Sequence, residues 1–177
     1  MKLDITEQML FALLRSALHG THADATIFAG ITSEAWQECY RLSVRQGVMA
    51  LAWDGLITLP TELQPPKSLK INWWLAVERC EKRYRYYCRV ISDLSTFYAT
   101  HGITAVQLKG VGFANNYPIP SHREGGDIDI FTYSADSSGL SDREANSLAD
   151  KLMRGRGIEV DFSHSQKHIM FYYKGIP

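Results

Sequence analysis

The sequence predicts an α+β protein whose helical amino-terminal half leads into a strand-bearing remainder. Three observations predict it. Apolar residues recur every three or four positions through the first part of the chain, as the buried face of a helix requires. From residue 101 the texture changes to short, β-branched apolar runs bounded by turn-forming residues. Those runs alternate with a helix-forming stretch, so strands and helices share the second module. The expected division is a helical region at 1–100 and an α/β core at 101–177.

The elements follow in order. Met9, Leu10, Leu13, Leu14, Ala17 and Leu18 fall at helical intervals, and Gly20 sits where that helix would stop. Thr32 or Ser33 can cap a second helix running through Trp36, Tyr40 and Val44. Gln46, Gly47 and Val48 interrupt it before Met49, Leu51, Ala52 and Leu56 resume the pattern. Thr58 to Pro66 contains three prolines and is a connector. A long helix is expected over 68–100, with Val77, Cys80, Tyr84, Tyr87, Ile91, Leu94 and Tyr98 as its buried stripe. Arg79, Lys82, Arg83, Arg85 and Arg89 lie beside that stripe, where a solvated flank is the expected reading and a phosphate contact the alternative.

In the second module, Ile103–Leu108 reads as a strand and Gly110–Asn116 as a short helix, followed by the turn-rich YPIPSHREGG. Asp127–Thr132 reads as the second strand, Ser137–Leu140 as a loop and Asp142–Arg154 as a helix. Ile158–Phe162 and His168–Tyr173 read as two further strands.

Composition narrows the function. Hydrophobic residues make up 45% of the 177 positions and charged ones 21%, which excludes global disorder. Nineteen basic residues balance 19 acidic ones, so no general attraction to nucleic acid or membrane is implied. A nucleic-acid substrate is not expected. The opening MKLDITEQMLFALLRSALHG is interrupted by Asp4, Glu7 and Arg15, unlike a signal peptide or a membrane span. Cys39, Cys80 and Cys88 lack metal-ligand spacing, and free thiols in a reducing cytoplasm are the expected state.

The stretch REGGDIDIF, residues 123–131, raises the sharpest chemical question. Side chains of a strand alternate, so Asp127 and Asp129 would share one side, where like charges repel. Solvation at a strand end, a shared proton and a bound divalent cation each resolve that conflict, and Mg²⁺ takes hard oxygen ligands of this kind. Upstream, LKG at 108–110 ends a strand on glycine, which lets backbone amides approach a ligand. Amides opposite a metal site are what a nucleoside triphosphate needs. Lys109 and Arg123 each suit either a phosphate contact or a local ion pair. His164 and His168 stand four apart without a third ligand and are expected to be ordinary strand-flanking residues. Trp73 and Trp74 are expected to pack rather than to stack on bases.

The run LKGVGFANNYPIPSHREGGDIDIF, residues 108–131, is similar to the signature of a bacterial nucleotidyltransferase family of the polymerase-β-like superfamily. That signature has LKG, an aliphatic helix with an aromatic-proline turn, an arginine, and DxD followed by apolar residues. Lys109, Gly110, Tyr117, Pro118, Arg123, Asp127 and Asp129 match it in order. The lead-in RQGVMALAWDGL also resembles the family's helical half.

The resemblance implies a helical half packed on a small mixed β-sheet of the polymerase-β-like type. It implies transfer of a nucleoside monophosphate from a triphosphate, with ATP the expected donor, to a hydroxyl on a small molecule or protein. Two Mg²⁺ ions would serve that chemistry. Asp127 and Asp129 would be the catalytic metal ligands, and Lys109, Gly110 and Arg123 would hold phosphates. The family's third carboxylate is the point of departure. Glu159 and Asp161 are the acids available in the last strands, with Asp161 the candidate ligand. The other reading has the core incomplete at its carboxyl end, the acid lying past FYYKGIP, and the chain a catalytically silent nucleotide-binding or regulatory module. A helical interaction protein using the α/β part as scaffold is a further alternative.

Overall fold

Asp4 starts the first helix, α1 (Ile5–His19), by accepting the Glu7 N–H at 2.8 Å, while the Glu7 carboxylate accepts the Asp4 N–H at 3.0 Å. Gly20 ends it in the left-handed conformation at φ 63°. Thr32 caps α2 (Ser33–Arg45) through its hydroxyl, which accepts the Ala35 N–H at 3.3 Å. Gln46 and Gly47 break the helix before α3 (Met49–Leu56) begins. The long helix α4 (Lys67–Ala99) follows the proline-rich connector. These boundaries lie close to those the sequence predicts.

The computed structural model describes residues 3–135, 139–158, 160–165, 168–171 and 173–176, with backbone alone at 160–165 and 168–171. Two compact units are formed. One comprises residues 1–84 with 114–125, the other residues 85–113 with 126–177.

The core of the first unit gathers Met9, Leu10 and Leu13 of α1, Trp36 and Cys39 of α2, and Trp73, Val77 and Cys80 of α4. Trp73 is fully buried, so its indole N–H needs a partner, and it donates to the Met49 carbonyl at 2.9 Å. Trp74, its neighbour, is exposed. The α1–α3 crossing depends on Gly55. A Cβ there would lie 2.1 Å from the Leu13 carbonyl oxygen. Arg79, Lys82, Arg83, Arg85 and Arg89 are all exposed, as a solvated helix flank would be.

In the second unit, Tyr87, Val90, Leu94 and Tyr98 of α4 pack with Ile103, Ala145, Ala149, Met153, Tyr173 and Ile176. Strand β1 (Ile103–Gln107) pairs antiparallel with β2 (Ile130–Ser134), from Ile103 opposite Ser134 to Gln107 opposite Ile130. A single-turn helix, α5 (Val111–Ala114), follows the LKG turn. Helix α6 (Asp142–Gly155) opens with a second capping box, Ser141 with Glu144, and its Asp142 carboxylate accepts the Ser134 N–H at 3.1 Å. Strands β3 (Val160–Ser165) and β4 (His168–Phe171) form another antiparallel pair. The loop expected at Ser137–Leu140 falls partly outside the described residues.

The architecture is α+β and mostly helical. Two details differ from expectation. The described strands form two separate antiparallel pairs, not one mixed sheet. The second strand also begins at Ile130 rather than Asp127. The register explains the later start: continued one step at a time it sets Leu108 against Asp129 and Gly110 against Asp127. Gly110 is in the left-handed region at φ 69°, so the chain turns away and the ladder ends before Asp127 is reached.

Candidate functional site

The ends of β1 and β2 bring LKG and DID together. The Leu108 N–H donates to the Asp129 carbonyl at 3.0 Å, one residue past the last strand pair. The turn at Gly110 then passes so close to the aspartate segment that a Cβ would stand 3.0 Å from the Asp127 carbonyl oxygen. Between these two contacts, Lys109 extends its ammonium to 3.1 Å from Asp129 Oδ2 and 3.9 Å from Asp127 Oδ2. Four of the motif residues thus form one cluster: Lys109, Gly110, Asp127 and Asp129. The two carboxylates converge on one cation although they precede the strand. The lysine offsets the like-charge repulsion that the sequence leaves unexplained.

The pair fits a divalent cation on one observation. Asp129 Oδ2 is buried and has no hydrogen-bond partner among the described residues. The Lys109 ammonium 3.1 Å away balances its charge. Buried carboxylate oxygens without hydrogen bonds are rare because desolvation is uncompensated, and a hard oxygen in that state suits Mg²⁺. Gln107 Nε2 is a second buried atom with no hydrogen-bond partner among the described residues, and it lies 3.4 Å from where a Gly110 Cβ would stand.

Arg123 belongs to the first unit, with Tyr117 and Pro118, whereas the lysine–aspartate cluster belongs to the second. Asp161 lies in β3 with its backbone opposite Met170, and its side chain falls outside the described residues. Glu159 lies outside them as well, as do the side chains of His164 and His168. Among the described residues no group of three or more His, Cys, Asp or Glu is placed to hold a metal.

The segment just before DID holds two side chains that the sequence does not single out. Glu124 Oε1 accepts the Met49 N–H at 2.8 Å and the Ala50 N–H at 3.4 Å. Those are orphan donors at the start of α3, where Val48 has no side-chain oxygen to offer. His122 is 6% exposed and stands between two acids, with Nδ1 2.8 Å from Asp54 Oδ2 and Nε2 3.1 Å from Glu81 Oε1. Both ring nitrogens face carboxylates, which is the arrangement of a charged imidazolium donating twice. Burial opposes that charge, but the hydrogen bonds His122 donates to Asp54 and Glu81 outweigh it and hold the pKa above the usual histidine value. The only local signal was the turn-rich composition around SHRE, because both partners of each contact are far apart in sequence.

A family model described as an uncharacterised nucleotidyltransferase matches residues 32–176. The chain belongs to this nucleotidyltransferase family. The match begins at the Thr32 cap of α2 and takes in the LKG turn, His122, Glu124 and both aspartates. For this nucleotidyltransferase family member, comparison with curated proteins and with solved structures returns no match. Among the described residues no helix is long and apolar enough to cross a membrane.

Proposed function

We propose that the chain is a Mg²⁺-dependent nucleotidyltransferase of the polymerase-β-like type, using a nucleoside triphosphate such as ATP as donor. The observation that carries this is the convergence of Asp127 and Asp129 beside the Gly110 turn, with a buried Asp129 oxygen that has no hydrogen-bond partner among the described residues. The family membership supports the same class of reaction.

In this reading Asp127 and Asp129 supply carboxylate oxygens to the metal, and Asp161 of β3 is the candidate for a third. Bound magnesium would neutralise charge on the triphosphate and on the transition state. Gly110 makes the tight turn that sets Lys109 beside the two carboxylates, where the triphosphate would lie. Lys109 follows the phosphates as a mobile point charge. The acceptor is a hydroxyl on a small molecule or a protein. Its oxygen bonds to the α-phosphorus, the bond from that phosphorus to the bridging oxygen breaks, pyrophosphate leaves and the hydroxyl proton passes to water.

Calorimetric titration of ATP in the presence and absence of Mg²⁺ tests the binding half of this proposal. Wild-type protein is expected to bind ATP only with the metal, and Asp127→Asn with Asp129→Asn to abolish that binding. Identical titration curves for the wild type and the double variant would remove the assignment. Incubation with α-labelled ATP and cell extract tests transfer, and a labelled product dependent on Asp127 and Asp129 identifies the acceptor class.

A further inference from the structure

We infer that Lys109 is a built-in counterion, holding the Asp127–Asp129 pair in a cation-ready geometry and yielding the place to a divalent metal when a triphosphate draws its ammonium away. The inference rests on the nucleotide-binding reading of the site and adds how the site stays closed to metal before nucleotide arrives.

Three features carry it. The ammonium lies within 4 Å of an oxygen on each carboxylate, at 3.1 and 3.9 Å, which is the central position a shared cation would take. The lysine side chain is 63% exposed, whereas that of Asp129 is 31% exposed. The carbonyl of Asp129 is held by the Leu108 N–H. The Asp129 carboxylate is thus the more enclosed partner of that contact and the ammonium the more exposed one. Lastly, Asp129 Oδ2 is buried and has no hydrogen-bond partner among the described residues, as suits an oxygen kept for a metal.

The chemistry of exchange follows from charge. One ammonium opposes a divalent ion at the carboxylates by direct repulsion, so the two cannot share the position. A triphosphate offers the ammonium a more highly charged partner and brings the metal with it. Lysine suits this because its point charge sits on a flexible four-carbon stem, and Lys109 is anchored beside the turn through which phosphates would enter.

The test measures two affinities with opposite expected signs. In the full-length protein without nucleotide, Mn²⁺ uptake is followed by the loss of the free-ion paramagnetic signal. Lys109→Met is expected to bind Mn²⁺ about tenfold or more tightly than wild type, since a repelling unit charge is gone. Lys109→Arg keeps the charge and is expected to stay near wild type. Adding Asp129→Asn to Lys109→Met is expected to erase the gain. Calorimetry with ATP and Mg²⁺ should show the reverse order, with Lys109→Met binding nucleotide more weakly than wild type. A purely structural lysine would weaken both affinities together, and that result overturns the inference. So does Mn²⁺ binding to Lys109→Met that is no tighter than wild type, whatever ATP does. Mg–ATP binding that ignores Asp127→Asn and Asp129→Asn overturns the nucleotide reading instead.

Discussion

Glu124 accepts the backbone N–H of Met49 at 2.8 Å and so caps α3 from a position 75 residues further along the chain. The Ala50 N–H, at 3.4 Å, shares the same oxygen. A carboxylate there satisfies orphan donors and lies at the positive end of the helix dipole. Its other oxygen reaches Arg83 only at 3.9 Å, on a half-exposed arginine. Glu124→Ala is therefore expected to cost about 1–2 kcal/mol, the upper part of the range for a lost helix cap. Arg83→Ala should change stability by about 0.5 kcal/mol or less, as exposed pairs do. Urea unfolding of both variants checks the order. An Arg83 variant weaker than the Glu124 variant would show that the ion pair, not the cap, holds the segment.

The His122 clamp makes a pH prediction. The folded pKa lies above the ordinary value of 6.5 because the hydrogen bonds to Asp54 and Glu81 outweigh burial. A group raised in this way contributes stability fully below its unfolded pKa and loses it as pH rises through the folded value. The stability gap between wild type and His122→Gln should thus be widest near about pH 6 and narrow on the alkaline side. Thermal unfolding across that range measures it. A gap that widens with rising pH would mean the ring is neutral in the folded protein.

The α1–α3 crossing predicts a severe defect from a single methyl group. A Cβ on residue 55 would stand 2.1 Å from Leu13 O and 2.7 Å from Leu13 Cα, and backbone atoms cannot rotate aside. Gly55→Ala must separate two helices in a close-packed core, at a cost of about 3 kcal/mol or more. Gly47→Ala is the matched control. It has nothing within 4 Å and loses only the ease of its φ 64° conformation, a cost of about 1 kcal/mol. Denaturant midpoints for the two variants should differ clearly, and equal midpoints would show that α3 shifts without penalty.

The sequence made the helices legible because their signals are local. Capping residues such as Asp4 and Thr32, the terminating Gly20 and the α4 apolar stripe all act within a few turns of where they stand. The stripe itself was displaced in one place, with Val90 buried and Ile91 half-buried. The convergence of Asp127 and Asp129 was also legible, since alternation in DIDIF holds in extended chain whether or not a ladder forms. Its strand boundary was not. Apolar alternation continues smoothly through Asp127, and only the left-handed turn at Gly110 on the partner strand stops the pairing. Glu124 and His122 were hidden for a related reason. Their partners Met49, Asp54 and Glu81 lie 41 to 75 residues away, and no local pattern encodes contacts of that separation.

Gly110 gives the most direct link between backbone geometry and the proposed chemistry. Its φ of 69° disfavours any side chain, and a Cβ would sit 3.0 Å from the Asp127 carbonyl oxygen. Alanine at 110 therefore carries left-handed strain of about 1–2 kcal/mol and presses on the segment that aims the first aspartate. The core of the second unit is not touched by that methyl, so the fold should persist with a modest fall in melting temperature. Mg²⁺-dependent ATP binding should fall by about tenfold or more, because misplacing a ligand-holding backbone by a fraction of an ångström is costly. Gly126→Ala meets nothing within 4 Å and has no left-handed φ. It should leave ATP binding within about twofold of wild type, a change well under 1 kcal/mol. Calorimetry and thermal unfolding on the two alanine variants separate the contributions. A Gly110 variant that binds Mg–ATP as wild type does would detach the glycine turn from the triphosphate.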